Sequence, residues 1–255
     1  MAENQGKFVW YELMTSDCKA AESFYRSVIG WEIRDSAMAN HSYSILSMGK
    51  TMIGGMMKTP EEAKGLKPFW IGYIGVDNLD TYLPRLKEAG GTVHRNPENI
   101  PGIGRFAVVS DPHGAAFILF QGSAVQTPPA EEPGARGHIG WHELYTDNLE
   151  SAFAFYSGLF GWTKVQALDM GSMGVYQIFA TGGAPAGGMM ARPPQVPRPS
   201  WLYYINVESL DAAVERIKQA GGQILYGPQP VPGGSWIAQC LDPQGAPFAI
   251  VSTAR

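Results

Sequence analysis

Cysteine is nearly absent. Cys18 and Cys240 are the two in a chain of 255 residues, and they fall at non-equivalent places of the internal repeat described below. A symmetric disulfide framework is therefore excluded, and free thiols in a reducing cytoplasm are expected. Basic clusters are missing as well. Lys and Arg total 19 against 23 Asp and Glu, for a net charge of −4, which lacks the electrostatic footprint of a nucleic-acid binder. No apolar run approaches the ~20 residues needed to span a bilayer. The polar start Met1-Ala2-Glu3-Asn4-Gln5-Gly6-Lys7 shows no signal-peptide pattern. A cytoplasmic protein with no membrane and no nucleic-acid partner is the expectation. Nucleophile elbows of the Gly-x-Ser-x-Gly type are not found. Neither is a Gly-x-Gly-x-x-Gly loop between a strand and a helix.

What the chain does have is itself, twice. Trp10-Tyr11-Glu12-Leu13 returns as Trp141-His142-Glu143-Leu144, an offset of 131. Tyr25 pairs with Tyr156, Gly30-Trp31 with Gly161-Trp162, and Trp70 with Trp201 at the same offset. So do Gly90-Gly91 with Gly221-Gly222 and Asp111-Pro112 with Asp242-Pro243. The runs Gly54-Gly55-Met56-Met57 and Gly187-Gly188-Met189-Met190 lie 133 apart, so the second copy has gained two residues in a loop. A repeat this long is a duplication of domains and not a solenoid period. Two copies of one fold can pair like a dimer, so function is sought at positions present twice.

Length and a hydrophobic content of 45% suit two cores of about 120 residues each. The expected domains are 1–121 and 138–255. Proline, glycine and charge replace periodicity over 122–137, which reads as a linker able to reach roughly 50 Å. Within copy one, Phe8 to Met14 reads as a strand. Ala21, Phe24, Tyr25 and Val28 recur at helical steps until Gly30. Short strands follow around Trp31, at Tyr43 to Met48 and at Met52 to Met57. A second round opens at Phe69 to Val76, with a helix marked by Leu79, Tyr82, Leu83 and Leu86. Pro84 is placed early in that helix, where its missing N–H costs little. Arg105 to Ser110 and Ala115 to Phe120 read as a hairpin across Asp111-Pro112-His113-Gly114. Copy two repeats the pattern, giving four βαβββ modules of α+β class.

A tyrosine near the end of the first helix followed by Leu/Ile-Gly-Trp, a Gly-Gly before a strand, and Asp-Pro-x-Gly before the last strand resemble the vicinal oxygen chelate superfamily. That superfamily includes glyoxalase I, extradiol dioxygenases, fosfomycin-resistance enzymes and bleomycin-binding proteins. The resemblance covers residues 8 to 121 and 139 to 252 and implies a tandem pair of domains, each of two modules curled into a cup. In metal-dependent members the cup carries a His or Gln on the first strand, a His on the fifth and a Glu on the last. Those positions fall here on Trp10 and Trp141, near Ile71 and Leu202, and near Ile118 and Ala249. A further position on the fourth strand falls near Met52 to Gly55. None of these side chains coordinates a divalent cation, so no metal cofactor is expected. A divalent metal remains the alternative if the register is misplaced.

Strand alternation puts Trp10, Glu12 and Met14 on one face, with Glu143 equivalent to Glu12. A carboxylate in an aromatic cup is costly unless paired or protonated. It is either a polar anchor or general base with a raised pKa, or a structural acceptor for backbone N–H, Tyr or Arg groups. Tyr73 and Tyr204 should face the same cups, with Asn206 two residues beyond; their alternative role is plain core packing. Trp70 and Trp201 have opposite parity and should pack under helices. Met48, Met52 and the Met56-Met57 and Met189-Met190 pairs are either an adaptable apolar wall or core filling. The adjacent glycines mark a bulge or a close backbone approach. Of His41, His94, His113, His138 and His142, the last stands out for its place beside Glu143. Cys18 heads a helix, where a thiolate would be stabilised, yet its counterpart is Leu149.

The sum is a metal-free binder of a small apolar or aromatic molecule in two aromatic-lined cavities. Trp10, Trp141, Tyr73, Tyr204, Asn206 and Met52 would contact the ligand. The rival reading is a glyoxalase-like lyase or isomerase with Glu12 and Glu143 as catalytic bases. Intramolecular domain pairing is expected, and homodimerisation of the fused pair stays open.

Overall fold

A computed structural model of the chain describes residues 4–36, 43–63, 65–123 and 134–255. Residues 124–133 of the expected linker, and His41, lie outside them. The first module runs β1 (Phe8–Thr15), α1 (Cys18–Val28), β2 (Glu32–Asp35), β3 (Tyr43–Met48) and β4 (Thr51–Lys58). The second runs β5 (Phe69–Gly75), α2 (Leu79–Glu88), β6 (Thr92–Ile100), β7 (Gly104–Ser110) and β8 (Ala116–Gly122). The third comprises β9 (Ile139–Thr146), α3 (Leu149–Phe160), β10 (Thr163–Asp169), β11 (Val175–Ala180) and β12 (Pro185–Ala191). The fourth comprises β13 (Ser200–Asn206), α4 (Leu210–Gln219), β14 (Gln223–Pro230), β15 (Trp236–Leu241) and β16 (Pro247–Ser252). The strand orders are β2-β3-β4-β1-β5-β8-β7-β6 and β10-β11-β12-β9-β13-β16-β15-β14. This is the α+β fold of four βαβββ modules read from the duplication.

Helix starts follow from capping. Asp17, Asn78, Asn148 and Ser209 precede α1 to α4, and each side chain accepts from a backbone N–H of the first turn, satisfying donors a helix leaves orphaned. Gly161 ends α3 with φ of 73°, a left-handed cap that other residues adopt at a cost. Pro84 departs from expectation. It is an interior residue of α2 and forfeits the bond its N–H would have made to Asp80.

The molecule divides into two compact units that cut across the sequence copies. One comprises Met1–Val9, Ile71–Thr127 and Trp141–Trp201; the other comprises Trp10–Trp70, Pro128–Gly140 and Leu202–Arg255. Each joins a module of one copy to a module of the other, and repeated residues do the joining. In the second unit Trp70 Nε1 donates to Tyr25 Oη at 2.9 Å, and Tyr25 donates to Asp242 Oδ2 at 3.2 Å. In the first, Trp201 Nε1 donates to Tyr156 Oη at 3.1 Å, and Tyr156 donates to Asp111 Oδ2 at 3.2 Å. The other carboxylate oxygen of each aspartate accepts two backbone N–H groups of its own Asp-Pro-x-Gly-Ala turn. Burial raises both carboxyl pKa values, and these hydrogen bonds oppose the rise. Trp31 and Trp162 complete the symmetry, donating to Gly137 O and Gly6 O, each at 2.7 Å. Trp70 and Trp201 thus lie against helix tyrosines, with ring centroids 5.5 and 5.4 Å from Tyr25 and Tyr156.

Candidate functional site: a tryptophan–tyrosine–glutamate relay present twice

Alternation along β1 sends Leu13 to the fully buried side and Trp10 and Glu12 to the other. Strand pairing then fixes which residues share the second face. Glu12 is the partner of Gly55, Gly55 of Ile45, and Ile45 of Arg34. Tyr43 lies two residues from Ile45, on that same face. Its hydroxyl accepts from Trp10 Nε1 at 3.0 Å and is bonded to the Glu12 carboxylate. The third module builds the same relay. Trp141 Nε1 donates to Tyr176 Oη at 2.8 Å, and Tyr176 donates to Glu143 Oε2 at 3.0 Å. Both glutamates are buried residues, 5% and 6% exposed, and the tyrosine supplies a partner such a group requires.

The relay accounts for the repeated Gly-Gly. A Cβ on Gly55 would lie 1.9 Å from Tyr43 Oη, and one on Gly188 would lie 2.1 Å from the Tyr176 ring. The second glycine of each pair is the floor over which the tyrosine passes. The first is a close backbone approach: a Cβ on Gly54 would meet Tyr11 O at 2.3 Å, and one on Gly187 would meet His142 O at 2.1 Å. The methionine pairs divide between faces. Met56 and Met189 are buried in the core, whereas Met57 and Met190 are the strand partners of Tyr43 and Tyr176. Burial and the neighbouring carboxylate push the Tyr43 and Tyr176 hydroxyls far above their ordinary pKa. Both remain neutral donors at physiological pH.

Tyr43 and Tyr176 were not among the residues expected from sequence. They are 133 apart, the drifted offset already marked by the glycine–methionine runs, and following that offset would have found them. The other expected residues make contacts of their own. Tyr204 is buried and accepts from Gln239 Nε2 at 3.0 Å; both are strand partners of Ala249. Tyr73 is buried beside Phe120 and partners Ile118. Asn206 uses its amide to donate to Ala135 O at 3.2 Å, and its backbone bonds to Gly137 and His138. Met52 is 49% exposed and borders a hollow of about 440 Å³ with Arg34, Asp35, Ile45, Ser47 and Lys50.

His142 points to the face opposite Glu143. Its ring stacks on Phe8 with centroids 4.1 Å apart, and its Nδ1 lies 2.6 Å from Ala186 O. A carbonyl can only accept, so Nδ1 carries the hydrogen. Burial pulls its pKa down to about 4. At Cys18, burial and the Asp17 carboxylate raise the thiol pKa against the pull of Lys58. Cys240 is buried and pushed up to about 12. Both cysteines are free thiols.

The positions to which the family resemblance assigns metal ligands hold poor donors. The indole nitrogens of Trp10 and Trp141 are donors only and are spent on the tyrosines. Ile71, Leu202, Ile118 and Ala249 are buried apolar groups. Among the described residues no group of three or more His, Cys, Asp or Glu side chains comes together to hold an ion. The donor set does not fit a divalent cation.

A fold of paired βαβββ modules with repeated first-strand sites defines a class. The chain belongs to the Glyoxalase/Bleomycin resistance protein/Dioxygenase superfamily, matching it over residues 7–119 and 137–250. It is 32% identical over 254 residues to "Putative glyoxylase CFP32" of Mycobacterium bovis, covering 98% of this chain and 96% of that protein. It is 30% identical over 263 residues to the anthracycline biosynthesis protein DnrV of Streptomyces peucetius, covering 96% and 93%. The Mn(II)-bound glyoxalase from Novosphingobium aromaticivorans shares the fold, with a TM-score of 0.67 and 17% identity over 99% of this chain and 83% of that one. No helix among the described residues is long and apolar enough to cross a membrane.

Proposed function

We propose that this protein binds a small apolar or aromatic molecule against each of its two relays, without a bound metal. The observation that carries the reading is the repetition of one unusual arrangement in both copies. An indole and a phenol, linked by a hydrogen bond, lie beside a buried carboxylate on the same strand face. The rings offer stacking surface. The carboxylates of Glu12 and Glu143 add acceptor oxygens beside those rings, which would take a ligand hydroxyl or N–H. The family contains binding proteins as well as enzymes, and a relative is named for the biosynthesis of anthracyclines, which are polycyclic aromatic compounds.

Titration with planar aromatic compounds, read by tryptophan fluorescence, tests this. Saturable quenching is expected, and it should weaken at least several-fold in Trp10→Leu and Trp141→Leu. A panel of aromatic metabolites, dyes and antibiotics that leaves the emission unchanged would overturn it. A second reading follows from the relative named as a glyoxylase: Glu12 or Glu143 abstracts a proton next to a carbonyl, the tyrosine holding the carboxylate in place. Loss of the α-hydrogen NMR signal of 2-oxo acids in deuterated buffer, abolished by Glu12→Gln with Glu143→Gln, would favour it.

A further inference from the structure

The two relays share their core but not their outer flank. Arg34, Ile45, Gly55 and Glu12 are successive partners across β2, β3, β4 and β1. Paired residues of neighbouring strands project from one face, so the four form a transverse row about 14 Å long at ~4.8 Å per strand. The Tyr43 ring lies over Gly55. From the edge inward the row reads guanidinium, aliphatic, phenol, carboxylate. The hollow of about 440 Å³ opens over its outer half and adds Lys50 and Met52 to Arg34 and Ile45. Asp35 also borders it, so among the described lining residues Arg34 and Lys50 stand with one carboxylate. Arg34 is ion-paired to Glu32 at 2.7 Å, but these side chains are 73% and 51% exposed. Such pairs contribute little, and a guanidinium has donors for a second carboxylate.

The equivalent row of the third module reads Gln166, Ile178, Gly188, Glu143. A carboxamide stands where the first copy has a guanidinium. At the offset of 133, Gly183 stands for Lys50 and Pro185 for Met52. None of these three equivalent positions is cationic, while the inner half is the same in both copies.

We propose that the first row takes an aromatic carboxylate, with its ring over Ile45, Met52 and Tyr43 and its anionic group on Arg34, and that the second row takes an uncharged ligand. This rests on the reading of the relays as aromatic-binding sites and assigns a charge class to each. The test is calorimetric titration of the full chain at low salt with 2-naphthoate and its uncharged isostere 2-naphthamide. At the first row wild type is expected to bind naphthoate up to about fivefold more tightly than naphthamide, the upper end for a solvent-accessible ion pair, with no such preference at the second row, and added salt should erode the preference. Arg34→Gln, a change at an exposed side chain, should equalise the two probes. Gln166→Arg should give the second row the same preference for naphthoate. Naphthamide binding with no naphthoate preference, or a preference that survives Arg34→Gln, overturns the charge assignment and leaves the aromatic sites standing. Binding of neither probe overturns both.

Discussion

On the strand face behind the relay, the first copy has Tyr11, edge-on to Tyr203 at 5.4 Å, and the second has His142, stacked on Phe8. Both side chains are buried, and both positions sit between the same Trp and Glu. Yet the phenol stays neutral across the accessible range, since burial raises its pKa, whereas the imidazole has a pKa of about 4. The duplication has kept the arrangement that makes the relay and let its surroundings drift. One copy carries cations at the edge, the other an imidazole in its core. What is common to the copies points to shared chemistry, and what differs points to specialisation.

The largest way to break this comparison is acid. The folded protein holds His142 neutral while the unfolded chain protonates it near the usual 6.5. Its contribution is fully present above that value and is lost as pH falls toward about 4. The loss across that window is on the order of 3 kcal/mol. Between pH 7 and 4, denaturant melts should show wild type losing about 3 kcal/mol more stability than His142→Phe, while Tyr11→Phe tracks wild type. Parallel slopes for all three would show that the ring is not held neutral.

Next come the glycines under the tyrosines. Gly188→Ala must displace a buried Tyr176 and should cost about 2 kcal/mol, within the range for overpacking. Gly55→Ala meets the far end of a half-buried Tyr43, which can swing outward, so stability should fall by less. Fluorescence of the relay indole should change in both. Equal costs in urea unfolding would contradict the difference in burial.

Tyr25→Phe and Tyr156→Phe should each cost about 1–2 kcal/mol, the penalty for leaving a buried indole N–H and a carboxylate short of a partner. Because the two networks are built alike, the two losses should match, and a mismatch above ~1 kcal/mol would sink the claimed equivalence. The smallest expected effect is that of chelation. Prolonged dialysis against EDTA should leave the melting temperature and aromatic binding unchanged, and metal analysis should return well under one divalent ion per chain. A stoichiometric ion would mean that the positions of Trp10 and Trp141 were misassigned.

Much of this was legible in the residues. Helical and strand periods, glycine stops and the Asp-Pro turns placed all four modules, because local patterning and burial agree there. Alternation along the first strand was enough to set Trp10 and Glu12 on one face. Tyr43 and Tyr176 escaped because their neighbourhood is fixed by pairing with strands far along the chain, and because a two-residue insertion hides them from the main offset. Gly54-Gly55 was read as a bulge or close approach, and the second glycine's part, making room for a ring, depends on a side chain that local sequence cannot locate.

The interleaving of the copies has a consequence for anyone who would cut the protein in two. A fragment ending at residue 121 keeps Tyr25 but loses Asp242, and keeps Asp111 but loses Tyr156. It also carries its own versions of both missing groups. Two such fragments can therefore supply each other's deficits, Tyr25 of one finding Asp111 of its mate, so the severed half should assemble as a symmetric pair in solution.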